Sequence, residues 1–182
     1  DDVPSVPYLR MTVDVMERWG GTVLADGLDG PAGWKPVPRF VVETPQRYQG
    51  TKFAVEPEAS SASYFLAAPA VAGGSVTVRG LGTGSIQGDA AFVDVLERMG
   101  CRIDRAAAEL TVHGPLPGER LRGVAVDLNV MPDTVPTLAV VALFADSPTT
   151  IRNVANLRVK ESDRLSVLAT ELRKLGAKID EN

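Results

Sequence analysis

The run Asn156-Leu-Arg-Val-Lys160-Glu161-Ser-Asp-Arg164 packs amide, cationic and acidic side chains into nine residues and leads directly into an amphipathic stretch. Lys160 and Arg164 are four apart and Glu161 and Arg164 three apart, so a helical first turn would set each pair on one face. Two cations there could share one anionic ligand. The start of a helix adds unpaired N–H groups and the positive end of the dipole, which suit phosphate or carboxylate. The same residues also fit a solvated helix start, capped by Ser162 or Asp163 and dressed with surface ion pairs. Composition alone favours that plainer reading.

A second candidate is Asp133, in Met131-Pro-Asp-Thr-Val-Pro136, between a strand at Val126-Asp-Leu128 and a buried helix that starts near Pro136. A carboxylate at such a junction can face a cleft and act as a base, or it can cap the helix. One side chain cannot do both. Glu58-Ala-Ser-Ser-Ala-Ser-Tyr-Phe65 reads as caps and close-packed small residues at a helix start, and Ser5-Val-Pro-Tyr8 as a turn or as two hydroxyls for a phosphate. Gly80-Leu-Gly-Thr-Gly-Ser85 lacks the third glycine of a dinucleotide fingerprint, and no Gly-Lys-Ser or Gly-Lys-Thr occurs. Cys101 follows a helix-ending glycine with no neighbouring histidine to activate it, and His113 sits in a strand-like run. Both read as structural.

The elements that must position these residues form an internal repeat. Met11–Gly20, Phe92–Gly100 and Leu165–Gly176 each place apolar residues at helical spacing and stop at glycine. A strand-like run follows each, at Thr22-Val-Leu24, Arg102-Ile-Asp104 and Lys178-Ile-Asp180. Phe65–Gly74 followed by Ser75–Leu81 parallels Leu138–Ala145 followed by Thr149–Val154, each a buried helix, a turn and a strand. Arg39–Glu43 and Glu109–His113 supply further strands. The pattern predicts an α/β (α+β) protein with two nearly complete copies of one unit and half of another. The boundary falls near Ala54–Pro57, giving regions 1–55 and 56–182. Asp26–Pro36 is rich in turn formers and reads as a surface loop.

Composition bounds the partners. A net charge of -4 offers no broad field for nucleic acid, and no apolar run approaches the roughly 18 residues that would span a bilayer. One cysteine and one histidine are too few for an internal disulfide or a zinc site, which fits the reducing cytoplasm. The first residues lack the features of a signal peptide and begin abruptly, like a cut.

Arg158–Arg164, Glu58–Tyr64, Ser85-Ile-Gln-Gly-Asp89 and Met131-Pro-Asp133 together resemble the EPSP synthase family, in order and over essentially the whole chain. The resemblance implies repeated βαββαβ units of the enolpyruvyl transferase inverse α/β barrel type, three to a domain, with ligands held between two domains. Residues 1–55 would then end the first domain as half a unit, and 56–182 would supply two units of the second. It also implies transfer of the enolpyruvyl group of phosphoenolpyruvate to the 5-hydroxyl of shikimate 3-phosphate, a step of the shikimate pathway to aromatic amino acids, with no metal or redox cofactor. By the same resemblance Asp133 is the base and Glu161 the acid. Arg164 binds phosphoenolpyruvate, whose site glyphosate occupies in this family. Ser5, Asn156 and Lys160 bind shikimate 3-phosphate together with Asp133, and Tyr8 borders that site. Other cationic groups of the family's site have no counterpart here, so the chain alone is expected to be inactive. The rival readings are the sister enolpyruvyl transferase acting on UDP-N-acetylglucosamine, whose reactive cysteine should lie on a flexible loop, and a noncatalytic remnant.

Overall fold

The computed structural model describes residues 3–27 and 39–181 and resolves into two compact units, Asp1–Val55 and Glu56–Asn182. In the first, α1 (Val6–Arg18) leads to β1 (Val23–Asp26), which pairs antiparallel with β2 (Arg39–Val42). Gly20 takes φ +81° just past the helix, where a left-handed residue ends the helical hydrogen bonding. The Trp19 and Phe53 rings meet at 4.7 Å, and the Arg18 guanidinium stands 5.7 Å from the Phe53 ring centre. The turn-rich segment begins inside β1 at Asp26. Its residues 28–36, like Asp1 and Asp2, lie outside the described residues.

The second unit runs α2 (Ala59–Ala72), β3 (Ser75–Arg79), α3 (Phe92–Met99), β4 (Arg102–Arg105), β5 (Glu109–His113), β6 (Ala125–Asp127), α4 (Val135–Ala142), β7 (Thr150–Arg152) and α5 (Arg164–Lys174). The strands β3, β5 and β4 form an antiparallel sheet with β5 central. Alternation along β5 sends Leu110 and Val112 into the core, and the hydroxyls of Thr77 and Thr111 pair at 2.7 Å on the other face. The strands β6 and β7 pair in parallel, which requires a crossover between them, and α4 supplies it.

The repeat is visible in the backbone. After β3 comes Gly80 at φ +86° and then fully buried Leu81; after β7 comes Asn153 at φ +60° and then buried Val154. Each strand thus exits through a left-handed residue that turns the next apolar side chain inward. Asparagine tolerates that conformation better than other non-glycine residues. The Asn153 amide also donates to Asp127 at 2.5 Å, tying the end of β7 to the end of β6. Two expectations need correction. Lys178–Asp180 forms no strand: instead of a ladder partner, the Ile179 carbonyl receives a hydrogen bond from Arg173 Nη2 at 2.6 Å. No strand stands directly before α2 either, so the first copy opens on a helix.

The core joins α2, α3, α4 and the sheet through Leu66, Phe92, Leu96, Met99, Leu138 and Val141, all nearly or fully buried. At the contact of α2 and α4 the buried hydroxyls of Ser63 and Thr137 lie 2.8 Å apart, and Ser63 also donates to the Ser60 carbonyl at 2.6 Å. Gly114 passes so close to α2 that a β-carbon there would overlap the Pro69 carbonyl. The outward sides of these helices are also apolar: Tyr64, Phe65 and Val71 line α2, and Val140, Leu143 and Phe144 line α4 and its exit. Among the described residues, no helix is long and apolar enough to cross a membrane. Replacing Thr137 by valine removes one partner of the buried hydroxyl pair at nearly constant volume. Urea unfolding should show a loss of about 1 kcal/mol, and an unchanged midpoint would refute the pairing.

Candidate active site

The approach to Asp133 is built by tight turns. Leaving β6, the chain folds through hydrogen bonds from Met131 N to the Leu128 carbonyl at 3.1 Å and from Thr134 N to the Met131 carbonyl at 3.1 Å. A short 3-10 turn, Pro132–Thr134, then runs into α4. The residue at the N-cap position of α4 is Thr134, fully buried, whose hydroxyl turns back to the Met131 carbonyl at 2.8 Å and not to the helix N–H groups. Asp133 is therefore not the cap. Its side chain is 27% exposed and points at cations: Oδ1 accepts from Arg164 Nη1 at 2.8 Å and lies 3.7 Å from Lys160 Nζ.

The cations arrive from the other parallel strand. From β7 the chain passes Asn153 and forms a 3-10 turn, Ala155–Val159, pinned to the core by fully buried Leu157. Residues 160–163 then cross to α5, which starts only at Arg164. Lys160, Glu161 and Arg164 therefore do not share a helical face. They meet because the link is folded. Arg164 divides its guanidinium, giving Nη1 to Asp133 and Nη2 to Glu161 Oε2 at 2.6 Å. The expected anion site on the first turn of α5 is already occupied, since Asp163 caps the helix by accepting from Ser166 N at 3.0 Å.

Charge states follow from these contacts. Glu161 is mostly exposed, at 76%, yet its own backbone N–H and then Arg164 hold its carboxyl below the usual glutamate range. The Ser166 N–H is the main group that holds Asp163 low, against the opposing effect of burial, and Arg158 adds to the lowering. Asn156 lies on the 3-10 turn with its amide oxygen buried and making no hydrogen bond among the described residues.

Asp133, Lys160, Glu161 and Arg164 thus come into direct contact, and Asn156 stands in the same segment. Ser5 and Tyr8 belong to the other unit. Ser5 precedes α1 at φ +59° with its carbonyl receiving Tyr8 N at 2.9 Å, and the Tyr8 carbonyl receives the Thr12 hydroxyl at 2.8 Å. The sequence offered Asp163 as one of two candidate caps, which it is, but neither its pairing with Arg158 nor a role for Arg158 was read there. The two pair at 2.9 Å across a link that is not helical, so no helical spacing announces them.

The remaining reactive side chains are engaged elsewhere. Cys101 is buried, and desolvation pushes its thiol up to about 11, the opposite of what a nucleophilic cysteine needs. His113 Nε2 lies 2.7 Å from the Asp104 carboxylate. A hollow of about 480 Å³ borders Cys101 and His113, but it contains none of the site residues. Among the described residues, no group of three or more His, Cys, Asp or Glu side chains could hold a metal ion.

Comparison with known proteins points to one family. The family model described as EPSP synthase (3-phosphoshikimate 1-carboxyvinyltransferase) matches residues 1–182. A tomato (Solanum lycopersicum) protein named 3-phosphoshikimate 1-carboxyvinyltransferase, chloroplastic, is 50% identical over 100% of this chain, which spans 34% of that protein. A Colwellia psychrerythraea 3-phosphoshikimate 1-carboxyvinyltransferase is 46% identical over 99% of this chain and 39% of its own length. This chain is therefore little more than a third as long as these relatives. In fold it is similar to an EPSP synthase from Acinetobacter baumannii, with a TM-score of 0.66 and 24% identity over 89% of this chain and 36% of that one. It is also similar to the enolpyruvyl transferase NikO from Streptomyces tendae, with a TM-score of 0.59 and 23% identity over 80% of this chain and 33% of that one. The described residues form a mixed α/β fold with no closed barrel among them, as expected of a piece of the enolpyruvyl transferase fold. A family-model match along the entire chain, with relatives up to half identical over its full length, places this chain in the EPSP synthase family.

Proposed function

We propose that this chain supplies part of the site of an enzyme that transfers the enolpyruvyl group of phosphoenolpyruvate to the 5-hydroxyl of shikimate 3-phosphate, with release of phosphate. The observation that carries the proposal is the position of Asp133, spared from capping α4 and held against Arg164 and Lys160. A carboxylate so placed can take the proton of the attacking hydroxyl while the cations face the anionic ligands.

In the addition step the 5-hydroxyl oxygen bonds to the central carbon of phosphoenolpyruvate, its proton passes to Asp133, and Glu161 delivers a proton to the methylene carbon. In the elimination step that carbon returns a proton and the carbon–oxygen bond to phosphate breaks. Glu161 must carry a proton for the first step, although its backbone N–H and Arg164 favour the charged form. An anionic ligand that draws Arg164 away weakens one of those influences and makes the acid form easier to reach. Lys160 and the buried amide oxygen of Asn156 are the groups we assign to shikimate 3-phosphate, one for charge and one to accept from a hydroxyl. Ser5 and Tyr8 are assigned to shikimate 3-phosphate on the family resemblance alone. The buried, unreactive Cys101 disfavours the UDP-N-acetylglucosamine reaction. A single protected thiol suits the cytoplasm, whereas the tomato relative carries the description chloroplastic.

Titration of the isotope-labelled chain with shikimate 3-phosphate should move the amide signals of Asp133 and of residues 156–164, and UDP-N-acetylglucosamine should not. Response to the nucleotide sugar alone, or to neither, would overturn the substrate assignment. Lys160→Ala should weaken shikimate 3-phosphate binding roughly tenfold, the scale of one charge-assisted contact. Catalysis requires all its groups in one geometry. The chain by itself should therefore release no phosphate from the two substrates together, and turnover by the purified chain would disprove that.

A further inference from the structure

Lys160 and Glu161 sit on a four-residue link with no helical or strand hydrogen bonding of its own, yet their positions decide what Asp133 and Arg164 can do. Something must hold the link. Arg158, in the turn before it, spans it: Arg158 Nη1 donates to Oδ2 of Asp163, the last residue of the link, at 2.9 Å. The other oxygen of Asp163 accepts from Ser166 N at 3.0 Å, so the ion pair continues into the first turn of α5. The second nitrogen of Arg158, Nη2, donates to the Glu181 carbonyl at 2.9 Å. The Glu181 carboxylate in turn pairs with Arg173 of α5 at 2.9 Å and lies 3.9 Å from Arg158. On its other side, Arg158 belongs to the 3-10 turn anchored by fully buried Leu157. One guanidinium thus links the core-anchored turn before the active residues to the helix after them.

We propose that Arg158 and Asp163 are positioning residues for the transferase site: their ion pair closes the loop 158–163 and so fixes where Lys160, Glu161 and Arg164 stand relative to Asp133. The role assigned to that site rests on the function proposed above, whereas the geometry of the clasp does not. A planar guanidinium with two separately directed donors suits this use better than a lysine, whose charge is a single flexible point. Cap and clasp are also separable at Asp163. The Asp163→Asn variant keeps an oxygen for Ser166 N and loses the charge that Arg158 holds.

The experiment follows the Glu161 carboxyl by carbon-detected NMR titration in the 182-residue chain, beside amide exchange in α5. In Asp163→Asn, and separately in Arg158→Gln, Glu161 should titrate at higher pH than in the wild type, because Arg164 no longer stays against it. The exchange of Val167–Leu172 should remain near wild type in Asp163→Asn. Arg158→Lys should restore the Glu161 midpoint only in part. Arg173→Gln, which removes a neighbouring ion pair but leaves the clasp intact, should leave the Glu161 midpoint in place. An unmoved midpoint in both clasp variants would overturn the proposal, as would an equal rise in Arg173→Gln, which would mark a general loosening of α5. Shikimate 3-phosphate added to the same samples separates the two ideas. A midpoint that moves in a chain that ignores the ligand upholds the clasp and removes the substrate assignment. A midpoint that stays fixed in a chain that binds does the reverse.

Discussion

A carboxylate about three-quarters covered by protein needs compensation for the water it has lost, and Asp133 finds it in a hydrogen bond from Arg164 and the nearby charge of Lys160. This contact joins the entrance of α4 to the entrance of α5, two elements reached from neighbouring parallel strands. The geometry of the site depends on it. Because Arg164 also serves Glu161, two cations and two carboxylates form a nearly neutral group. An incoming phosphate therefore competes with carboxylates for the guanidinium; no excess of positive charge awaits it. Under the proposed function, binding and the protonation of Glu161 would be coupled for that reason, since the same nitrogen atoms cannot fully satisfy both partners.

The first copy of the repeat has a counterpart of this junction, with different chemistry. There the entrance of α2 is gripped by the segment before α3: Gln87 accepts from Ala59 N at 2.8 Å and donates to Glu56 and to the Pro57 carbonyl, while the Ser60 hydroxyl meets Asp89 at 2.5 Å. One sequence interval separates Gly80 from Asn153, Ser60 from Asp133 and Gln87 from Lys160. The two copies therefore use the same backbone route to bring the same segments together. In the first copy the amide and hydroxyl groups are spent on the helix entrance, whereas in the second a carboxylate, Asp133, stands in place of the hydroxyl and a cation, Lys160, in place of the amide. A hydrogen-bonded knot and a charged cluster are thus two versions of one joint.

Much of this was legible in sequence, for physical reasons that differ by element. The helices were marked by their stops, because Gly20, Gly100 and Gly176 all take positive φ, which other residues adopt only with strain. Asp133, Lys160, Glu161 and Arg164 could be picked out by type, and Asp133 by its place between a strand and a helix. Their mode of contact could not. Helical spacing suggested a shared face for Lys160 and Arg164, but α5 starts at Arg164 and the contacts come from a folded link. The Arg158–Asp163 pair was hidden for the same reason, since a five-residue separation has meaning only once the link is known to bend. Lys178–Asp180 had the composition of a strand, but a strand is defined by a neighbour, which local composition cannot supply.

The helices α2 and α4 are apolar on the faces they bury and also on those they expose, where Tyr64, Phe65, Val140, Leu143 and Phe144 meet water. In solution such stripes attract other apolar surfaces, while a net charge of -4 keeps copies of the chain apart. Added salt acts on both at once. It shortens the range of the repulsion, and sulfate or phosphate salts also strengthen apolar contact. The colloidal behaviour of the chain is therefore the reverse of that of a protein held together by surface ion pairs: low ionic strength keeps it dispersed, and strongly salting buffers drive its copies together.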